Sequence, residues 1–200
     1  MRKQPELTGQ TKENLKKAFW KLYAKRGIEK ISVKEITDLA GYNRGTFYLY
    51  YKDIYHLVDE AETDLLEKMI RQIESGETGS TEEMLDTLRQ SYEKYKKYLD
   101  ILHGAHGDPA FIGKLKDKMK ELARPKLEAL DIMDEAVIEL FLEYHVAGSI
   151  ALIQHCVAQK KEIPVQEILD LIRGFETFYV MIRKENNQEH KSSSTKFPNC

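Results

Sequence analysis

Residues 32–52, SVKEITDLAGYNRGTFYLYYK, constrain this chain more than any other stretch. Ser32 followed by Glu35 is a capping box, in which each side chain satisfies an orphan N–H at a helix start. Val33, Ile36, Leu39 and Ala40 recur at helical spacing and give that helix one apolar face. Gly41 is placed to end it, because glycine takes a left-handed backbone without steric penalty. Asn43 can cap a second helix running over residues 44–51. Helix, glycine turn, helix is the sequence form of a helix-turn-helix.

The second helix is unusual for a core element. Phe47 and Tyr51 lie four apart and share a side that can pack on the first helix. Gly45 and Leu49 point the other way, with Thr46 and Tyr48 on the shoulders. An exposed interior glycine costs about 1 kcal/mol against alanine, which makes sense where another surface must come close. Eight residues give a rod of roughly 12 Å, matched to a DNA major groove of about that width. Asn43, Arg44, Thr46, Tyr48, Tyr50 and Lys52 then offer amide, hydroxyl and cationic groups to phosphates or base edges, with Ser32 and Lys34 at the backbone. Gly45 permits the approach, and Leu49 meets the groove floor, where a thymine methyl suits it.

At these residues the chain resembles the TetR family of bacterial transcription regulators. The likeness covers residues 11–57. It rests on Lys25-Arg26-Gly27 closing the first helix, Ser32-Val33-Lys34-Glu35-Ile36, Ala40-Gly41, and Arg44-Gly45-Thr46-Phe47-Tyr48-Leu49-Tyr50-Tyr51. Many members carry a phosphate-binding lysine at the start of the next helix. Here Ile54 stands there, with Lys52 and His56 close in sequence. Residues 107–111, Gly-Asp-Pro-Ala-Phe, are similar to a branch of the family related to dihydroxyacetone-kinase operon regulators.

Charge supports a nucleic-acid partner. Residues 1–53 hold 12 of the 31 Lys and Arg but only 6 of the 33 Asp and Glu, so a basic head precedes an acidic remainder. That asymmetry suits one polyanion bound at one end. No run approaches about 18 consecutive apolar residues, so no membrane span is expected. The first residues lack the apolar core of a secretory signal. Two cysteines, Cys156 and Cys200, do not make a disulfide framework, and a cytoplasmic location is expected.

Helical periodicity fills the chain, predicting an all-α fold of about nine helices. The first starts at Thr11, with Leu15, Ala18, Phe19, Leu22 and Tyr23 buried and Lys16, Lys17 and Trp20 off that stripe. Asp53 caps a fourth helix over residues 54–73, and a loop over 74–80 precedes a fifth helix over 81–102. A sixth ends near Arg124-Pro125, a short seventh spans 125–130, an eighth spans 134–159 and a ninth begins at Pro164. Residues 1–53 form the helix-turn-helix domain, 54–184 an effector-binding and dimerisation domain, and 185–200 a disordered tail.

The last two helices are apolar on more than one side and want neighbours on more than one side. Pairing between two chains in a four-helix bundle answers that need, and the resemblance adds to it. Ala147, Gly148, Ala151, Leu152, Ile168, Leu169, Ile172 and Phe175 are the expected interface. The resemblance also implies a small-molecule pocket bounded by the fourth to eighth helices, with Leu66, Met69, Ile70, Tyr92, Tyr95, Leu99, Phe111, Phe141, Tyr144 and His145 as candidate lining. Plain amphipathic packing is the other reading of the tyrosines. His103, His106, His145 and His155 do not have convergent metal-ligand spacing, so no metal and no cofactor is expected. No phosphate loop or nucleophile–base pair marks an enzyme. The expected function is a homodimeric, effector-controlled repressor on a near-palindromic operator. A protein-interaction co-regulator of the same fold with weak DNA binding is the second reading.

Overall fold

The computed structural model describes residues 5–76, 81–129, 131, 133–159, 166–171, 173, 174, 177 and 181. These residues form helices joined by turns and short extended links, with no strand among them, as the periodicity predicts. Among the described residues these α-helices follow in order: α1 (Pro5–Tyr23), α2 (Val33–Ala40), α3 (Arg44–Tyr48), α4 (Ile54–Ser75), α5 (Thr81–His103), α6 (Pro109–Glu128) and α7 (Glu135–Ala158). A 3₁₀ turn, Ile28–Lys30, sits between α1 and α2. The backbone divides into two compact units, residues 1–113 and 114–200.

In the first unit α1 packs on α2 and α4, α2 on α3, and α4 on α5. Leu15, Phe19, Ile36, Phe47, Tyr51 and Leu57 have almost no exposed surface and form the core of the head. α1 begins at Pro5 rather than Thr11. Proline at the first helical position gives up no intrahelical bond and has its φ already set. Lys16 and Trp20, expected outside the buried stripe, are both buried. Trp20 meets the edge of Tyr98 on α5 at 4.9 Å, and Lys16 is taken up by carboxylates of α4. α1 is thus covered on a second side by elements distant in sequence. Leu39, expected on the apolar face of α2, is exposed.

The α5–α6 connection is tight. A Cβ on Gly107 would lie 1.8 Å from the carbonyl oxygen of Leu102, so only glycine fits there. Tyr23 donates its hydroxyl to the His106 carbonyl at 2.9 Å, joining the end of α1 to this turn. Burial first, then the charges of Glu62 and Asp108, push its pKa up to about 12.

In the second unit Lys116, Lys120 and Arg124 recur every four residues along α6. They pair with Glu143, Glu139 and Glu135 on α7, Lys116 at 3.2 Å and Arg124 at 2.5 Å from Glu135. This ladder accounts for a difference from expectation. α6 runs through Pro125 to Glu128 without a break, and no separate helix starts there. The third rung needs Arg124 in helical register with Lys120, and a proline so near the helix end interrupts few backbone bonds. α7 is capped by Asp134, whose carboxylate accepts from the Val137 N–H at 2.9 Å. By length and composition α7 would suffice to cross a membrane. That composition is shared by helices with partners on several sides. Residues 166–171 are helical. The rest of the expected ninth helix, including Ile172 and Phe175, the loop residues 77–80 and the tail 185–200 lie outside the described residues.

Candidate nucleic-acid interface

The helix-turn-helix forms as its local chemistry dictates. The Ser32 hydroxyl accepts from the Glu35 N–H at 3.3 Å, while a Glu35 oxygen accepts from the Ser32 N–H at 3.0 Å. Gly41 ends α2 with φ +77°, the left-handed conformation that favours glycine. Asn43 caps α3 through the Thr46 N–H at 2.8 Å. The recognition helix is shorter than the eight residues expected. Only Arg44–Tyr48 are α-helical. Residues 49–51 continue as a tight turn, with the Leu49, Tyr50 and Tyr51 N–H groups donating back to Thr46 or Phe47 carbonyls. Glycine, threonine and aromatic residues are weaker helix formers than alanine or leucine, and Asp53 starts α4 directly afterwards.

Two residues root this segment. Phe47 and Tyr51 are buried, their ring centroids 5.5 Å apart. The other side is open. Asn43, Arg44, Gly45 and Lys52 are exposed, as are Tyr48 at 56% and Leu49 at 63%. Thr46 and Tyr50 are half-exposed. Among the described residues neither Arg44 nor Lys52 has an ion-pair partner. Lys34 is exposed on α2, 3.9 Å from Asp38. Ser32 is spent on its cap, so its side chain is already engaged.

Ile54 is half-buried at the head of α4, and His56, though exposed, is engaged locally. The His56 Nδ1 accepts from the Lys52 N–H at 3.2 Å and its ring meets Tyr51 edge-on. Among the described residues Lys52 is therefore the free cation at the α3–α4 junction. Tyr55, outside the set read from sequence, stands 65% exposed beside it. An exposed aromatic at a helix start was the available signal.

Arg26 holds Glu35 at 2.5 Å. Hydrogen bonds from Ser32 and then Arg26 lower the Glu35 pKa to about 2, and Lys12, Lys16 and Tyr51 outweigh burial to bring Glu60 to about 2 as well. Both lie below the 4.5 of a free glutamate. Folded-state pKa values below the unfolded ones mean stability that is complete above pH 4.5 and lost as pH falls toward 2. In thermal melts across that window, the Tm difference between wild type and Glu60→Gln is expected to shrink steadily. A constant difference would show that the charge of Glu60 carries none of it.

Of the expected effector residues, Leu66, Met69, Leu99 and Phe111 are buried, and Ile70, Tyr92 and Tyr95 half-buried, all in the first unit. Phe141, His145 and Tyr144 are on α7 in the second. The Phe141 and His145 rings lie 4.0 Å apart, and burial lowers the His145 pKa. Tyr144 is 70% exposed. It falls in line with Leu140, Gly148 and Leu152, which follow at four-residue intervals and are also exposed, with Ala151 beside them. Ala147 is half-buried, and Ile168 and Leu169 are buried. Among the described residues no three His, Cys, Asp or Glu converge as metal ligands. His103 is buried, with its Nδ1–H donating to the Leu99 carbonyl at 2.9 Å.

The family model for bacterial regulatory proteins of the tetR family matches residues 17–61. The likeness to that family covers the helix-turn-helix segment. Its matched span runs from within α1 through α2 and α3 into α4, the elements whose geometry is described above. No curated protein matches the chain in sequence. Solved structures extend the fold. A TetR transcriptional regulator from Streptococcus agalactiae is 22% identical, with a TM-score of 0.65 over 84% of this chain and 93% of that one. The dihydroxyacetone kinase operon activator DhaS is 15% identical, TM-score 0.64, over 86% and 97%. The fatty acid degradation regulator FadR from Bacillus halodurans is 16% identical, TM-score 0.64, over 86% and 94%. The chain therefore has the fold of a TetR-family transcriptional regulator along most of its length. The names of the last two point to different regulated pathways, so the shared fold selects no effector.

Proposed function

We propose that this protein is a homodimeric, cytoplasmic, non-enzymatic DNA-binding regulator, a repressor whose affinity for a near-palindromic operator is set by a small-molecule effector. The observation that carries this reading is the segment 43–52. It is anchored from beneath by Phe47 and Tyr51 and presents Arg44, Thr46, Tyr48, Leu49, Tyr50 and Lys52 outward. Residues 1–53 are the reader. Residues 54–184 carry effector binding and dimerisation.

One short recognition segment offers few base contacts, so specificity needs two half-sites. A twofold dimer reaches successive major grooves about 34–36 Å apart. An effector that favours a DNA-incompetent state by about 3 kcal/mol weakens binding about 150-fold, enough for a switch.

The test is a gel-shift salt series on duplexes from the DNA upstream of the gene itself. Preferential binding of one near-palindromic duplex is expected, with affinity falling steeply between about 50 and 200 mM salt as counterions are released. Ile54, half-buried where a phosphate-binding lysine is usual in the family, is the observation favouring the second reading, a co-regulator acting through partner proteins. That reading requires no specific shift at any salt concentration.

A further inference from the structure

The recognition segment has too few helical residues to set its own orientation, so something beneath it must do so. Phe47 is held by apolar packing, which is not directional. Tyr51 is different, because its hydroxyl has a defined partner. It donates to Oε1 of Glu60 on α4 at 3.0 Å. The same carboxylate is held from the other side by two lysines one turn apart on α1. Lys12 Nζ lies 2.7 Å from Oε2, and Lys16 Nζ lies 2.8 Å from Oε1. Lys16 also pairs with Asp64, one turn further along α4. Lys12 sits over the Tyr51 ring, 5.5 Å from its centre. Tyr51 and Lys16 are buried and Lys12 and Glu60 half-buried, and this network joins α1, α4 and the end of the recognition segment.

We infer that Glu60 and Tyr51 are positioning residues for DNA recognition, the carboxylate fixing the tyrosine and the tyrosine fixing the angle at which residues 44–49 are presented. Neither touches DNA. The two lysines keep the carboxylate ionised and in one place, so the acceptor for Tyr51 has a single orientation. Burial of Tyr51 and its contact with Glu60 hold its pKa above the ordinary phenol value, keeping the hydroxyl a donor. A hydrogen bond to a charged acceptor is stronger and more directional than one to a neutral group. The device is thus a charge-assisted pin through a segment that would otherwise pivot about Phe47.

The inference rests on the DNA-binding reading above, and the experiment separates the two. Full-length wild type, Tyr51→Phe, Glu60→Gln and Glu60→Ala are titrated against duplexes from the gene's own upstream DNA and against a scrambled duplex. Thermal melts are recorded in the same buffer. Tyr51→Phe keeps the ring and its packing and is expected to lose about tenfold in affinity for the preferred duplex. Its affinity for the scrambled duplex and its salt slope stay at wild-type values, because the surface cations are untouched. Glu60→Gln retains an acceptor for the tyrosine and is expected to keep more specific binding than Glu60→Ala. Wild-type discrimination by Tyr51→Phe, or an equal loss on both duplexes, overturns the positioning role while leaving the regulator reading intact. A wild type that prefers no duplex overturns both.

Discussion

Arg44→Ala is expected to weaken binding to the preferred duplex by about ten- to a hundredfold while leaving the melting temperature unchanged. Arg44 is the first residue of α3 and is exposed. Its helix is started by the Asn43 cap, which does not involve the arginine side chain. Removing it therefore breaks no ion pair or cap among the described residues. What it removes is a planar donor fork at the leading end of the recognition segment. A bidentate arginine–guanine pairing is worth about 1–3 kcal/mol of discrimination against the wrong base. Lys34→Ala, at an exposed position of α2, is the contrasting control. Deleting a phosphate-binding cation there weakens all duplexes alike and lowers the salt slope by about one. If Arg44→Ala behaves like Lys34→Ala, Arg44 meets the backbone and base reading falls to Thr46, Tyr48 and Leu49. If it binds like wild type, residues 44–49 are not the reading surface.

The head was legible in sequence wherever the deciding interaction is local. Ser32 with Glu35, Gly41, Asn43, Asp53 and Asp134 each act within four residues of the bond they satisfy, and each cap forms where the residue type places it. The burial of Phe47 and Tyr51 followed from helical spacing for the same reason. What failed to show was long-range. Lys16 and Trp20 looked solvent-facing because their partners, Glu60, Asp64 and Tyr98, lie more than forty residues away in sequence. The continuity of α6 through Pro125 depends on acids of α7, which no window around the proline contains. Tyr51 could be read as a core residue, but its hydroxyl's partner could not. The effector-lining set is the least legible, because buried Leu66, Met69 and Leu99 have the composition of any core.

Gly148→Glu supplies the sharpest test of the dimer. Gly148 is exposed, and a Cβ built there meets nothing within 4 Å in the single chain. Glutamate is a better helix former than glycine by roughly 0.5–1 kcal/mol. In an isolated protomer the substitution should therefore be neutral or mildly stabilising. In a dimer the expectation reverses. The exposed apolar row of Leu140, at 71%, Tyr144, Gly148 and Leu152 is where α7 lacks a partner within the described residues. Its glycine and Ala151 let a second helix approach closely, within the roughly 8–10 Å of packed helix axes. A glutamate at the centre of that interface brings both bulk and an unpaired charge, which costs several kcal/mol when buried. Sedimentation velocity at micromolar concentration is expected to show wild type as a dimer and Gly148→Glu as a monomer of unchanged helix content. Affinity for the palindromic duplex should fall to that of one half-site. A variant that remains dimeric would place the subunit interface on another face, and Tyr144 and Leu152 would need a different partner.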